Sequence, residues 1–152
     1  MPDPISFTSA SPRFALPLLF AGQAQKEFTV NEAHVLIDAL LHPAVAGERS
    51  APPGSPDPGE CWLVGAGPSG AWAGHAGELA CWSAGAWIFV PPRDGMHLLD
   101  RSTGQLKLYR GGWHAAAAPA LPTGGATVDI QARTAIAGLI AALGAAGILP
   151  LP

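Results

Sequence analysis

The sequence predicts an α+β protein with an amphipathic N-terminal helix, a small Trp-rich antiparallel β-barrel or meander, and an apolar C-terminal oligomerisation helix. The β prediction rests on residues 59–95, which contain four of the five tryptophans, separated by Gly-Ala pairs. Tryptophan favours strands, and glycine accepts the positive φ of tight turns. The two helix predictions rest on apolar spacing of three and four residues on either side of this stretch.

These elements suggest four parts. We expect an extended arm at residues 1–28, a helix plus a small β-domain at 29–115, a linker at 116–126 and a C-terminal helix at 127–152. The arm contains an apolar run, Phe14–Phe20, that is interrupted by Pro17. A proline inside such a run predicts an extended segment that lies on a hydrophobic surface, either the module's own core or a neighbouring subunit.

The first helix is expected to begin at Thr29, because Thr29 and Glu32 have the S/T-x-x-E spacing of a capping box. Pro43 would end the helix after about three turns. Its predicted buried stripe consists of Ala33, Leu36, Ile37, Leu40 and Leu41.

Six short strands are expected, each bounded by glycine, proline or an Asp-Gly pair. Residues 47–58 are rich in Gly, Pro and Ser and are therefore expected to form a loop. The predicted strands are Glu60–Val64, Glu78–Ser83, Ala86–Val90, Met96–Asp100, Gln105–Arg110 and Trp113–Ala115.

The C-terminal helix is expected at Thr127–Leu143, with Thr127 or Asp129 as its cap. An isolated helix this apolar is not stable in water, so it must dock. Self-association about a symmetry axis is the simplest solution, and a trimer is the first expectation. The segment is too short for a membrane span, which needs about 20 residues. The predicted oligomerisation residues are Ile136, Leu139, Ile140 and Leu143.

Composition excludes some functions. Charged residues make up 12% of the chain, the net charge is −3, and no basic cluster is present. Nucleic-acid binding is therefore not expected. The N-terminus lacks the basic and apolar regions of a signal peptide. Cys61 and Cys81 could pair if their strands are adjacent; free thiols are the favoured expectation, and the sequence leaves the question open.

The polar residues suggest neither an enzyme nor a metal or cofactor site. The segment Gly65–Gly70 fits GxGxxG, but no convincing helix follows it. The five histidines lack ligand spacing. The carboxylates are scattered, so a polysaccharide hydrolase remains only a distant third hypothesis.

The tryptophans support a second hypothesis, because aromatic faces stack on sugar rings. Trp72 and Trp113 flank turns and are equally compatible with core or sugar-binding roles, with Tyr109 as a third candidate. For Trp62, Trp82 and Trp87 we expect a role in the core.

Several motifs resemble the domain of unknown function 2793 family, which occurs in phage-like proteins and in gene transfer agents of alphaproteobacteria. The resemblance covers Pro12–Trp113 and the C-terminal tail. Its most specific part is the string Gln23–Lys26 followed by Asn31–Ala33. The stretch Gly70–Gly95 also contributes.

The resemblance implies a structural protein of a phage-like particle, assembled in the cytoplasm. Such a protein would be the base or adaptor of a head spike or tail fibre, with a capsid or tail protein and a receptor-binding fibre as partners. A particle vertex could impose fivefold contacts instead of a trimer. The alternative is a carbohydrate-binding module for cell-surface polysaccharide. The arm would attach to the particle through Phe14, Leu16, Leu18, Leu19 and Phe20.

Overall fold

A computed structural model describes residues 17, 19, 22 and 24–150 of the chain, and it confirms the α+β class. Two helices and eight strands are present in this part, with the strands in two four-stranded sheets. The elements are α1 (Lys26–Leu41), β1 (Ala44–Val45), β2 (Glu48–Arg49), β3 (Cys61–Val64), β4 (Leu79–Ser83), β5 (Ala86–Val90), β6 (His97–Asp100), β7 (Gln105–Tyr109), β8 (Trp113–Ala115) and α2 (Ile130–Ala145).

Of the expected barrel or meander, the described residues form no barrel; they contain two antiparallel meanders, one in each sheet. The strand order is β1-β6-β7-β8 in sheet one and β2-β3-β4-β5 in sheet two, and no barrel is closed. Strands β3, β4 and β5 of sheet two pair antiparallel, as do β6, β7 and β8 of sheet one. Short turns join these neighbours except β3 and β4, which are connected by residues 65–78. The tightest turn joins β4 to β5 at Ala84 and Gly85, which both have positive φ, at 50° and 81°. Two such residues suit a two-residue hairpin.

Residues 43–49, which include β1 and β2, connect the two sheets. The carbonyls of Pro43 and Val45 accept hydrogen bonds from sheet one, whereas the Gly47 carbonyl accepts one from Leu63 of sheet two. Both strands pair parallel to their partners, so the expectations of an all-antiparallel arrangement and of a loop from Gly47 are wrong. A Cβ at Gly47 would lie 3.3 Å from the Ser102 side chain, so a larger residue at this crossing would require Ser102 to shift.

The main core lies between α1 and one face of the strands. Alternate residues of a strand point to opposite faces, and those facing this core are almost fully buried. Val45 comes from the connecting segment, and Leu98 comes from sheet one. The buried members are Leu36, Val45, Leu63, Leu79, Cys81, Val90 and Leu98.

A second core covers the opposite face of sheet two. Trp72, in a short 3₁₀ turn at Gly70–Trp72, packs there against Val64 and Ala80. Its ring meets Trp87 edge-on, with centroids 5.0 Å apart. The partly buried residues around this cluster are Trp62, Trp87 and Phe89.

Helix α1 begins one turn before the predicted capping box. Its N-cap is Gln25, in the left-handed region with φ 54°, and Lys26 is the first helical residue. Thr29 and Glu32 therefore lie inside the helix, which is 16 residues long. Backbone N–H groups in the interior of a helix already have helical partners and need no cap. The capping-box pattern therefore did not mark the start of α1.

Helix α2 begins at Ile130, directly after Asp129, which was one of the two predicted caps. The Asp129 side chain accepts a hydrogen bond of 2.9 Å from the Ala132 N–H. After the helix, the Gly147 carbonyl accepts a hydrogen bond of 2.7 Å from Leu106 of β7, and Leu149 is buried. These contacts tie the end of α2 to sheet one. No helix in the described part of the chain has the length and hydropathy to cross a membrane.

Candidate functional site

The first candidate surface is the apolar face of α2. Leu139 is 64% exposed, and Ile136 and Leu143 are about 40% exposed, at 39% and 40%. Ile140 is half-buried. These residues recur at three- and four-residue spacing, so they form one stripe along the helix. The predicted oligomerisation stripe is therefore largely solvent-facing in a single chain.

The other side of α2 has a neighbour within the chain. The Arg133 guanidinium, which carries the one charge of the helix, donates hydrogen bonds to the carbonyls of Pro122 and Gly124. Leu121 and Pro122 line a shallow groove against Ile130 and neighbouring α2 residues. The linker thus contacts α2 near Ile130 and Arg133, and the groove it forms does not include Leu139.

Helix α1 carries a second exposed apolar patch that the sequence analysis missed. Leu41 is 78% exposed and Ile37 is 39% exposed, and the two lie one turn apart on the same face. Phe28 is 66% exposed, but it lies about 180° around the helix from Ile37 and is not part of this patch. Ile37 and Leu41 had been placed in the buried stripe, and this was wrong. The helix faces the core through Leu36, Ala39 and Leu40 instead. The predicted five-residue stripe is wider than the surface of α1 that packs on the strands. The sequence does not show which side of the stripe is buried.

The second candidate site is an aromatic cleft of about 350 Å³. The rings of Tyr109 and Trp113 meet edge-to-face with centroids 5.2 Å apart. The Trp113 indole N–H donates a hydrogen bond of 2.9 Å to the Gly77 carbonyl. The Gly111 N–H bonds the Asp94 carboxylate at 2.9 Å, which fixes the turn between β7 and β8.

The walls of this cleft suit a small polar ligand with one apolar face. Half-buried Tyr109 and Trp113 supply the aromatic surface. Gly65, Ala66 and Gly77 supply backbone without large side chains. Such a site can stack and hydrogen-bond a sugar ring. Both aromatic residues were predicted as candidates from the sequence, whereas the hydrogen bond from the indole to Gly77 was not.

Trp72 does not belong to this site. Its exposed fraction is 0%, so neither ring face is open to a sugar, and the proposed sugar-binding role for Trp72 is wrong. The turn at Gly70–Trp72 folds it under sheet two, where it is the most deeply buried tryptophan. Conversely Trp62, Trp82 and Trp87 are half-buried and surround it or lie at its edge.

Four of the five predicted attachment residues lie outside the described residues. These are Phe14, Leu16, Leu18 and Phe20. Leu19 is described, and it is 47% exposed. Its exposure is compatible with a contact to another molecule.

The polar side chains in the described part form structural pairs. His75 Nδ1 lies 2.8 Å from Glu78 Oε2, and the imidazole stacks on Phe89 at 3.5 Å between ring centroids. Lys107 Nζ lies 3.0 Å from both Glu48 and Asp100 and so bridges the two sheets. In residues 24–150 and the three described residues before them, no three His, Cys, Asp or Glu side chains form a metal site.

The GxGxxG segment does not have the setting that binds phosphate. It leads into the 3₁₀ turn at Gly70–Trp72, which is three residues long. A dinucleotide fold needs a longer helix whose N-terminal N–H groups face the pyrophosphate. The segment serves instead to place Trp72 in the second core.

Residues 30–114 match the family described as "Protein of unknown function (DUF2793)". The chain belongs to this family. The DUF2793 region runs from α1 to β8, so it contains both sheets, both cores and the aromatic cleft. Helix α2 lies beyond it. No curated protein matches the chain.

Proposed function

We propose that this protein is a non-enzymatic structural component of a phage-like particle, such as a gene transfer agent or prophage particle. It is the base or adaptor of a head spike or tail fibre. Copies associate through α2, and a trimer is the expected state. The arm around Phe14–Phe20 contacts a capsid or tail protein, and the oligomer holds a separate receptor-binding fibre.

The observation that carries this proposal is the uncovered apolar face of α2. Leu139, Ile136 and Leu143 are all exposed in the single chain. Apolar surface gains roughly 25 cal/mol for each Å² removed from water. A second and a third copy of the same stripe can cover it symmetrically, as helices do in a bundle.

The DUF2793 region has the properties of a rigid support. Residues 43–49 hydrogen-bond to both sheets and so link them. Lys107 of sheet one also pairs with Glu48 of sheet two. A base that transmits force between a particle and a fibre needs such cross-links between its layers.

The protein composition of purified particles tests whether this chain is a particle component. We expect particles purified from the encoding cells to contain this chain at a constant ratio to their capsid protein, measured by quantitative mass spectrometry. Particles from a strain that lacks the chain should also lose their fibre protein. Particles that are complete and infective or transducing without the chain would contradict the proposal.

The alternative function, carbohydrate binding, is favoured by the cleft between Tyr109 and Trp113. A sugar stacked on Trp113 would change its fluorescence. We expect soluble cell-surface polysaccharide to quench the wild-type protein, Trp113→Phe to retain binding in a ligand-observed measurement, and Trp113→Ala to lose it. Binding that persists in Trp113→Ala would eliminate this site.

A further inference from the structure

Cys61 of β3 and Cys81 of β4 are directly opposite each other on adjacent antiparallel strands. Both are free thiols in this structure. Directly opposed residues share one face of a sheet, so the two side chains point the same way. The sequence left their pairing open because it could not show that β3 and β4 are neighbours.

The backbone register at this point favours a cross-link. The Trp82 N–H bonds the Glu60 carbonyl on one side of the cysteine pair. The Cys61 carbonyl turns away from β4 and accepts from Ala46. Cys61 and Cys81 are therefore a non-hydrogen-bonded pair, whose Cα atoms lie about 4.5 Å apart in antiparallel sheets. Disulfides span Cα distances of about 4.4–6.8 Å.

The pair lines a pocket of about 450 Å³ between α1 and sheet two. His34 and Asp38 of α1 form the opposite wall, and Trp82 lies at the strand end. The two thiols differ in access: Cys61 is half-buried, whereas Cys81 is 4% exposed. A small molecule entering from solvent meets Cys61 first.

The chemistry of the two thiols follows the same order. The hydrogen bond from Cys81 lowers the pKa of Cys61, although burial and the Asp38 carboxylate act against this. The same hydrogen bond, together with burial, raises the pKa of Cys81. The thiolate is the attacking species in disulfide exchange, so Cys61 is the nucleophile and Cys81 the resolving thiol.

We propose that Cys61 and Cys81 form a reversible redox site that reacts with low-molecular-weight disulfides to give a cross-strand disulfide. Cys61 Sγ attacks one sulfur of the small disulfide, breaks its S–S bond and releases one thiolate. Cys81 Sγ then attacks Cys61 Sγ in the mixed disulfide and releases the second thiolate. The two protein protons end on the released thiols, and two electrons pass from the protein to the small disulfide. This proposal does not depend on the particle function.

The test uses the folded, reduced full-length chain with oxidised glutathione as the probe. We expect the intact mass to fall by two hydrogens, both thiols to become unreactive to maleimide, and reduced glutathione to reverse the change. The product should be an intramolecular disulfide that runs as a single chain on a non-reducing gel. The oxidised protein should unfold at a higher temperature than the reduced one.

Two matched variants assign the roles. Cys81→Ser should stop at the mixed disulfide and gain one glutathione, because the resolving thiol is missing. Cys61→Ser should remain mostly unmodified while folded, because Cys81 is buried, and should gain glutathione in denaturant. Equal modification of both folded variants would overturn the assigned order.

Several results would overturn the site itself. One is a folded wild type whose two thiols both survive an excess of oxidised glutathione. A second is a disulfide that forms only after denaturation. A third is a cross-link between chains rather than within one.

Discussion

Asp100 is a buried carboxylate of sheet one that pairs with Lys107, whose ammonium also contacts Glu48 of sheet two. It is 2% exposed, bonds the Ser102 hydroxyl at 2.6 Å, and lies 3.0 Å from Lys107 Nζ. Replacing it by asparagine keeps the shape but removes the charge. We expect Asp100→Asn to lower the free energy of unfolding at neutral pH by about 1–3 kcal/mol, because a hydrogen-bonded buried charge is lost.

Urea unfolding measures this loss of stability. Glu48→Gln is the matched control. Glu48 pairs with the same Lys107, but its side chain is 50% exposed. A pair with such an exposed partner contributes about 0–1 kcal/mol. Equal losses for the two variants would show that burial of Asp100 is not what gives the pair its strength.

The same carboxylate predicts a dependence of stability on pH. Burial alone would raise the pKa of Asp100, but hydrogen bonds from Ser102 and Lys107 outweigh it, so the pKa lies below its ordinary value. A depressed folded-state pKa adds stability above the unfolded value of about 3.9. That stability is lost as the pH falls through the folded value. The difference between wild type and Asp100→Asn should therefore shrink in acid; a constant difference would contradict this.

Trp72 predicts a large effect in the second core. It is fully buried, and its indole N–H has no hydrogen-bond partner among the described residues. Trp72→Ala should lower the free energy of unfolding by about 3–5 kcal/mol, as other truncations of buried aromatic residues do. Trp72→Phe should cost much less, because it keeps a ring and removes an unpaired donor that costs about 1–3 kcal/mol. Urea unfolding measures both, and similar losses would contradict this account.

This residue also shows a limit of the sequence. Trp72 and Trp113 both flank glycine-rich turns, and the sequence treated them alike. Their difference is set by tertiary structure: the loop before Trp72 folds under sheet two, whereas Trp113 lies on a cleft. The local sequence pattern predicts whether a residue lies in a strand or a turn. Its burial depends on which other part of the chain packs over it.

At the scale of elements, strands with local partners were predictable. Ala86–Val90 and Trp113–Ala115 have the predicted bounds because each follows a short glycine-containing turn. Strands β1 and β2 were missed because each is two residues long and pairs with a strand distant in sequence. The start of α1 was missed because the helix continues one turn before the capping-box pattern.

The cap of α2 gives a prediction at this scale. The Asp129 side chain accepts a hydrogen bond from the Ala132 N–H. Asp129→Ala should therefore lower the stability of the first turn of α2 by about 1 kcal/mol. Amide exchange at Ala132 should then accelerate about fivefold. Thr127→Ala is the control, because Thr127 was the other candidate cap and lies outside the helix. Equal acceleration in the control would contradict the assignment of the cap.

At the scale of the whole molecule, self-association should depend on one side of α2. Leu139→Asp places a charge in the exposed stripe, and we expect the oligomer to dissociate because that charge would be buried without a partner. Ala141→Asp is the matched control; it introduces the same residue into the same helix about 200° around the axis. Sedimentation velocity distinguishes the two. An oligomer that survives Leu139→Asp would place the interface elsewhere, with the Ile37–Leu41 side of α1 the next candidate.

The central claim is that the open face of α2 joins copies of this chain, and the molar mass of the purified full-length protein tests it most directly. Light scattering after size exclusion, repeated over a range of concentrations, gives that mass without a shape assumption. The account predicts one discrete multiple of 15.5 kDa, with three copies expected. A mass of one chain at every concentration would contradict the claim, and the carbohydrate-binding cleft would become the leading explanation of function.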